Sequence, residues 1–197
     1  MLRNMSEEKM YTSVRMVFLS NLLESKGILD LLDALSLLRQ RGCLFTCDIV
    51  GAETSEINRE RLLKEIAQRE LDGVAIYKGS MFGDEKTQVL KDADLFIHPT
   101  HDDCFPLVLL EAMAHGLPCI STNEGAIADI IDNGKTGLIF EKNNPQDLAD
   151  TIEALLNNET LRNRMGVEGR KKYEQEYTLE HFEQRFVQCM NSILTDI

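Results

Sequence analysis

At 197 residues the chain has the size of one α/β domain, and with 43% of its residues apolar it can bury a substantial core. Its formal net charge of −12 excludes a nucleic-acid surface, because phosphate binding needs clustered Lys and Arg and no such cluster occurs. Five cysteines, Cys43, Cys47, Cys104, Cys119 and Cys189, make no C-x-x-C pair, which excludes a disulfide framework or zinc site and reads as reduced thiols of a cytoplasmic protein.

Residues 1–13 are polar and unpatterned, a tail or linker remnant without the apolar core of a signal peptide, and no later run is long enough to span a bilayer. Association with a membrane surface stays open. Residues 14–19 form a short apolar run and predict a first strand despite Arg15, followed by the loop 20–27 and a helix over 28–39. The pattern repeats with strands over 44–50, 74–77, 94–98, 118–121 and 137–140. Between them the spacing predicts helices over 56–70, 84–91, 106–115 and 126–131. Strands that alternate with helices and are apolar on both faces imply a doubly wound, mostly parallel sheet of about six strands, Rossmann-like, with helices on both faces. Beyond residue 140 the strands stop, and helices over 147–157, 160–173 and 179–193 predict a helical carboxy-terminal tail. The last helix carries an apolar stripe of Phe182, Phe186, Met190 and Ile193, whose plainest use is packing on the domain's own core.

Three loops at the expected carboxyl ends of the strands carry candidate chemistry. In the first, an apolar strand ends at His98, two aspartates follow, and Pro106 opens an amphipathic helix holding Glu111. Proline has no N–H, so the free donors at the helix start come from Cys104, Phe105, Leu107 and Val108, an arrangement suited to an anion. Glu111 is expected roughly 8–9 Å along the axis from the helix start, at ~1.5 Å per residue. A nucleoside diphosphate sugar is long enough to touch both Asp103 and Glu111; the plainer alternative is that Asp103 offsets the helix dipole and Glu111 is solvated. In the second loop, Ser25 is expected as N-cap, placing Lys26 in a first helical turn, where its charge opposes the dipole unless an anion partners it. In the third, Gly125 permits close backbone approach, for ligand or for geometry alone. Of the histidines, only His101 is carried forward, as loop structure; none is given a metal.

These residues carry a resemblance. Asp103-x7-Glu111, followed by A-M-A-H-G-L-P over 112–118, is similar to the E-x7-E and E-A-M-A-x-G-x-P signature of retaining glycosyltransferases of the family-4 type, with the GT-B fold. The Lys26-Gly27 loop, the Val50-Gly51 strand end and the G-A-I-A-D-I-I segment starting at Gly125 extend the match across residues 14–195. The resemblance implies that residues 14–197 are the carboxy-terminal donor domain of a two-domain enzyme, that the acceptor domain is absent, and that the isolated domain is inactive. It further implies that Glu111 holds the ribose hydroxyls, that Asp103 lies near the transferred sugar, and that Lys26 with the 104–108 amides holds the diphosphate. Fixed donors there stabilise the leaving group's growing charge, so no metal or other cofactor is implied. The final helix resembles the family's terminal helix that crosses back to the other domain.

Departures from the pattern are Asp103 for glutamate, Asn21 where an arginine often partners the lysine, Pro106 for a glycine and Ala126 for a second glycine. They motivate a rival reading, a non-catalytic module that binds a nucleotide sugar or a partner. A nucleotide-sugar epimerase of the same fold is a second rival. A nicotinamide-binding domain is disfavoured, because the loop after the first strand lacks G-x-G-x-x-G.

Overall fold

The computed structural model describes residues 13–195, so most of the expected amino-terminal tail lies outside the described residues. Six parallel strands form one sheet: β1 (Val14–Leu19), β2 (Phe45–Val50), β3 (Ala75–Gly79), β4 (Leu95–His98), β5 (Cys119–Thr122) and β6 (Gly137–Phe140). Their order is β3-β2-β1-β4-β5-β6, the doubly wound order in which the chain works outward from the centre in one direction and then in the other. β1 pairs with β2 over its full length and with β4 at Met16 and Val17. β4 and β5 are buried at every position, as strands covered on both faces must be.

Alternating strand residues feed two cores. Met16, Phe18, Cys47, Ile49 and Ile97 face α1 (Ile28–Gln40), α2 (Arg59–Gln68) and α6 (Pro145–Leu156). Val17, Val50, Phe96 and Cys119 face α3 (Gly83–Asp92), α4 (Leu107–Ala114) and α5 (Ile127–Ile130). Each fully buried Leu or Ile in these layers contributes roughly 1.5–3 kcal/mol. α7 (Glu159–Glu176) serves both, with Met165 in the first core and Tyr173 against the second.

Local chemistry explains the helix starts. The side chains of Asn58, Asn144 and Asn158 accept from backbone N–H groups in the first turns of α2, α6 and α7, and Pro145 occupies the opening position of α6. α1 begins differently from the expectation. Ser25 is not its cap: residues Glu24–Lys26 form a single 3-10 turn, and Gly27, left-handed at φ +73°, separates that turn from the helix. Lys26 therefore ends that turn instead of opening α1, and stands just before the α1 cap, where Asp103 supplies the anion its charge needs.

The stripe on α8 (Leu179–Thr195) does not find the domain's own core. Leu179, Phe182, Phe186, Val187, Met190 and Ile193 all remain exposed, with the Phe182 and Phe186 rings stacked at 6.1 Å. No helix among the described residues is long and apolar enough to cross a membrane.

Candidate functional site

The strand order reverses between β1 and β4, so their connections leave in opposite directions and open a crevice at the carboxyl ends. A cleft of about 300 Å³ lies there, lined among others by Ser20, Asn21, Met81, Phe82, Lys86 and Val108. A larger cleft of about 570 Å³ lies at the opposite ends of β4 and β5, where Arg162 and Arg170 donate to backbone carbonyls; it is lined by His115 to Pro118 of the signature but by none of the candidate binding residues.

The crevice loops are joined by hydrogen bonds to their backbone carbonyls. His101 N–H donates to the Ser25 carbonyl at 2.7 Å, and the Thr122 hydroxyl to the Thr100 carbonyl at 2.7 Å. Ala126 N–H donates to the Cys104 carbonyl at 2.9 Å. Gly125 sits so close that a Cβ there would lie 2.1 Å from the Asp103 carbonyl oxygen, so the packing of the two loops requires a glycine here. The third loop thus stands beside the first, as its sequence position implies.

Lys26 and Asp103 meet inside this frame. Lys26 Nζ donates to Asp103 Oδ2 and to the Asp102 carbonyl, each at 2.8 Å. His98, at the end of β4 and 1% exposed, places Nε2 3.3 Å from the same Oδ2. With Asp103 ionised, the ring proton belongs on Nε2, which donates; Nδ1 is then a buried acceptor with no hydrogen-bond partner among the described residues. The His98 hydrogen bond, followed by Lys26, holds the Asp103 carboxyl down at about 2, while burial lowers the His98 pKa and keeps the ring neutral.

A pH dependence follows. A carboxyl depressed in the folded state contributes stability that is complete above its unfolded pKa of about 3.9 and is lost as pH falls towards 2. The loss is expected to reach about 2 kcal/mol, added to that from His98, whose lowered pKa withdraws stability from about pH 6.5 downward. Denaturant midpoints at pH 7, 4 and 2.5 check this: Asp103→Asn should flatten the low-pH limb, and parallel curves for parent and variant would refute the pairing.

Beyond Asp103 the chain turns into α4. Pro106 is its N-cap, and the N–H groups of Cys104, Phe105, Leu107 and Val108 reach no acceptor among the described residues. Four residues after Leu107, at about 6 Å along the axis and nearer than the expected 8–9 Å, stands Glu111. It is not simply solvated. Its Oε1 accepts from Lys86 Nζ at 2.8 Å, and its Oε2 is buried with no hydrogen-bond partner among the described residues.

The structure therefore gathers Asn21, Lys26, Asp103 to Val108, Glu111 and Gly125 around one end of the sheet, with Asn21 exposed in the cleft wall. Two partners were not legible in the sequence. Lys86 looks like any solvated lysine on a charged helix, and pairing across 25 residues leaves no periodic signal. His98 could be found only as a strand-end histidine five residues before an aspartate. His101 is loop structure as read, its Nε2 2.7 Å from Asp30 on α1. Although His98 and His101 stand three residues apart, each faces a different carboxylate, and no cluster of three or more metal-ligating side chains occurs among the described residues.

Known proteins share this architecture. The capsular polysaccharide biosynthesis glycosyltransferase CapM of Staphylococcus aureus is 26% identical over 179 residues, which is 91% of this chain and 46% of CapM. Sucrose-phosphate synthase from Thermosynechococcus elongatus superposes with a TM-score of 0.83 at 20% identity, over 95% of this chain and 47% of its own. HepE of Anabaena, solved in complex with UDP and glucose, gives 0.81 at 20% identity over 91% and 48%. The chain spans less than half the length of these proteins. The family model described as glycosyl transferases group 1 matches residues 6–172, a span that holds the whole sheet and every loop of the crevice. By that match the chain belongs to the group 1 glycosyltransferases.

Proposed function

We propose that residues 14–197 are the donor-binding domain of a retaining glycosyltransferase, which moves a sugar from a nucleoside diphosphate sugar to an acceptor held by a further domain. The observation that carries the reading is the approach to α4: four N–H groups without acceptors among the described residues, those of Cys104 and Phe105 in the loop and of Leu107 and Val108 in the first turn, gather at the switch point of the sheet. Lys26 is held by Asp103, the residue before them, and Glu111 follows them on α4. A diphosphate at the helix start places a ribose near Glu111 and a sugar near Asp103.

Each residue then has a task. The 104–108 amides and Lys26 stabilise the charge that grows on the departing diphosphate, a role for which this reading calls on no metal ion. Lys26 is shared, because Asp103 holds it at 2.8 Å and the diphosphate competes for it. Asp103 keeps His98 when Lys26 turns, and its Oδ1, which receives no hydrogen bond among the described residues, is left for a sugar hydroxyl. The exposed stripe of α8 supplies a surface for the acceptor domain to cover. That HepE, of the same fold, is found with UDP makes UDP a suitable first probe.

Calorimetric titration with UDP, GDP and ADP tests the reading, and heat is expected with at least one; silence from all three with folded protein would sink it. Lys26→Met should weaken that diphosphate about tenfold and the uncharged nucleoside hardly at all. Equal losses for both would remove Lys26 from the diphosphate.

A further inference from the structure

We infer that Lys86 is a positioning residue that aims the Glu111 carboxylate at the ribose hydroxyls and thereby sets a preference for ribonucleotides over their 2′-deoxy counterparts. The inference rests on the reading that Glu111 faces the ribose. Lys86 lies on α3 and Glu111 on α4, so the pair joins two helices that meet at the crevice. Their side chains are 28% and 36% exposed, a setting in which an ion pair adds little to stability. What the pair does fix is orientation. Lys86 takes Oε1 at 2.8 Å and leaves Oε2 stripped of water and without a hydrogen-bond partner among the described residues. A carboxylate oxygen in that condition is costly until a donor arrives.

The donor is taken to come from the ligand side: Glu111 and Lys86 both line a cleft of about 390 Å³ beside α4, with Leu107, Tyr173 and Tyr177, and Lys86 also lines the crevice cleft, so the two clefts meet at this lysine. A vicinal diol brings two O–H donors to a carboxylate that has two oxygens, and a 2′-deoxyribose brings one fewer. Without the ammonium the carboxylate is free to turn towards solvent, and the extra hydroxyl loses its reward.

Calorimetry with UDP, GDP and ADP and with their 2′-deoxy forms decides the matter, with thermal unfolding confirming that each variant is folded. The parent is expected to prefer the ribonucleotide. Lys86→Met should weaken the ribonucleotide about fivefold and leave the deoxynucleotide almost unchanged, Lys86→Arg should restore most of the preference, and Glu111→Gln should remove it. If Glu111→Gln removes the preference and Lys86→Met keeps it, the role of Lys86 is overturned while that of Glu111 stands. Equal weakening of both nucleotides by Lys86→Met, or tighter binding, also overturns it. An unchanged Glu111→Gln, or no heat with any of the three diphosphates, removes the donor-site reading and this inference with it.

Discussion

Replacing Glu111 with Gln is expected to weaken binding of the preferred nucleoside diphosphate by about 10- to 100-fold, the cost of a charge-assisted hydrogen bond. Thermal unfolding should move by no more than a few degrees, because the side chain is half-buried at the crevice and its ion pair with Lys86 contributes little to the fold. Glutamine keeps the length and one oxygen but has no negative charge, so the loss isolates the carboxylate from the shape of the side chain. Calorimetry gives the affinity and circular dichroism the unfolding midpoint. A variant that binds as tightly as the parent would take Glu111 out of the ribose role, and with it the distance argument along α4.

The second large effect is structural. Gly27→Ala would put a Cβ 1.8 Å from the Pro99 carbonyl oxygen, at a position where φ is +73°. Neither the loop nor the helix can yield without breaking the hydrogen bond from His101 N–H to the Ser25 carbonyl, so a loss of about 3 kcal/mol or more is expected. Gly42→Ala supplies the comparison: φ is +79° there too, but nothing lies within 4 Å of the new Cβ. Only the backbone strain remains, about 1 kcal/mol. Denaturant midpoints of the two variants separate crowding from strain, and equal losses would show that the approach to Pro99 carries no weight. Because Lys26 is the residue before Gly27, the first variant should also lose affinity for a diphosphate beyond what its lower stability explains.

The architecture was legible because its signals are local. Apolar runs of four to six residues end at glycine or a polar turn, and β1 and β6 fall where their patterns place them. Helix ends moved by up to three residues, as at α2, where Asn58 caps a helix that the pattern had started at residue 56. The site was legible to the extent that it is written in consecutive residues, from Asp103 to Glu111. What the sequence left out is side-chain pairing at the crevice: Lys86 on Glu111, His98 on Asp103, and the hold of Asp103 on Lys26. The misplaced cap at Ser25 has the same origin. A serine before a helix is the usual cap, and only the closeness of Gly27 to Pro99 explains why the chain uses a left-handed residue there instead.

The central pairing of β1 with β4 has a kinetic consequence. Met16 lies beside Leu95, so the middle of the sheet is closed by residues 79 positions apart, whereas β2 and β3 join β1 in sequence on one side and β5 and β6 join β4 on the other. Contacts of such long separation are costly to close before they give anything back, and they slow folding. The two half-sheets form from shorter loops, and the seam between them closes over the longest one. Since the crevice lies on that seam, its geometry is expected to be completed last as the chain folds and lost first when the halves part.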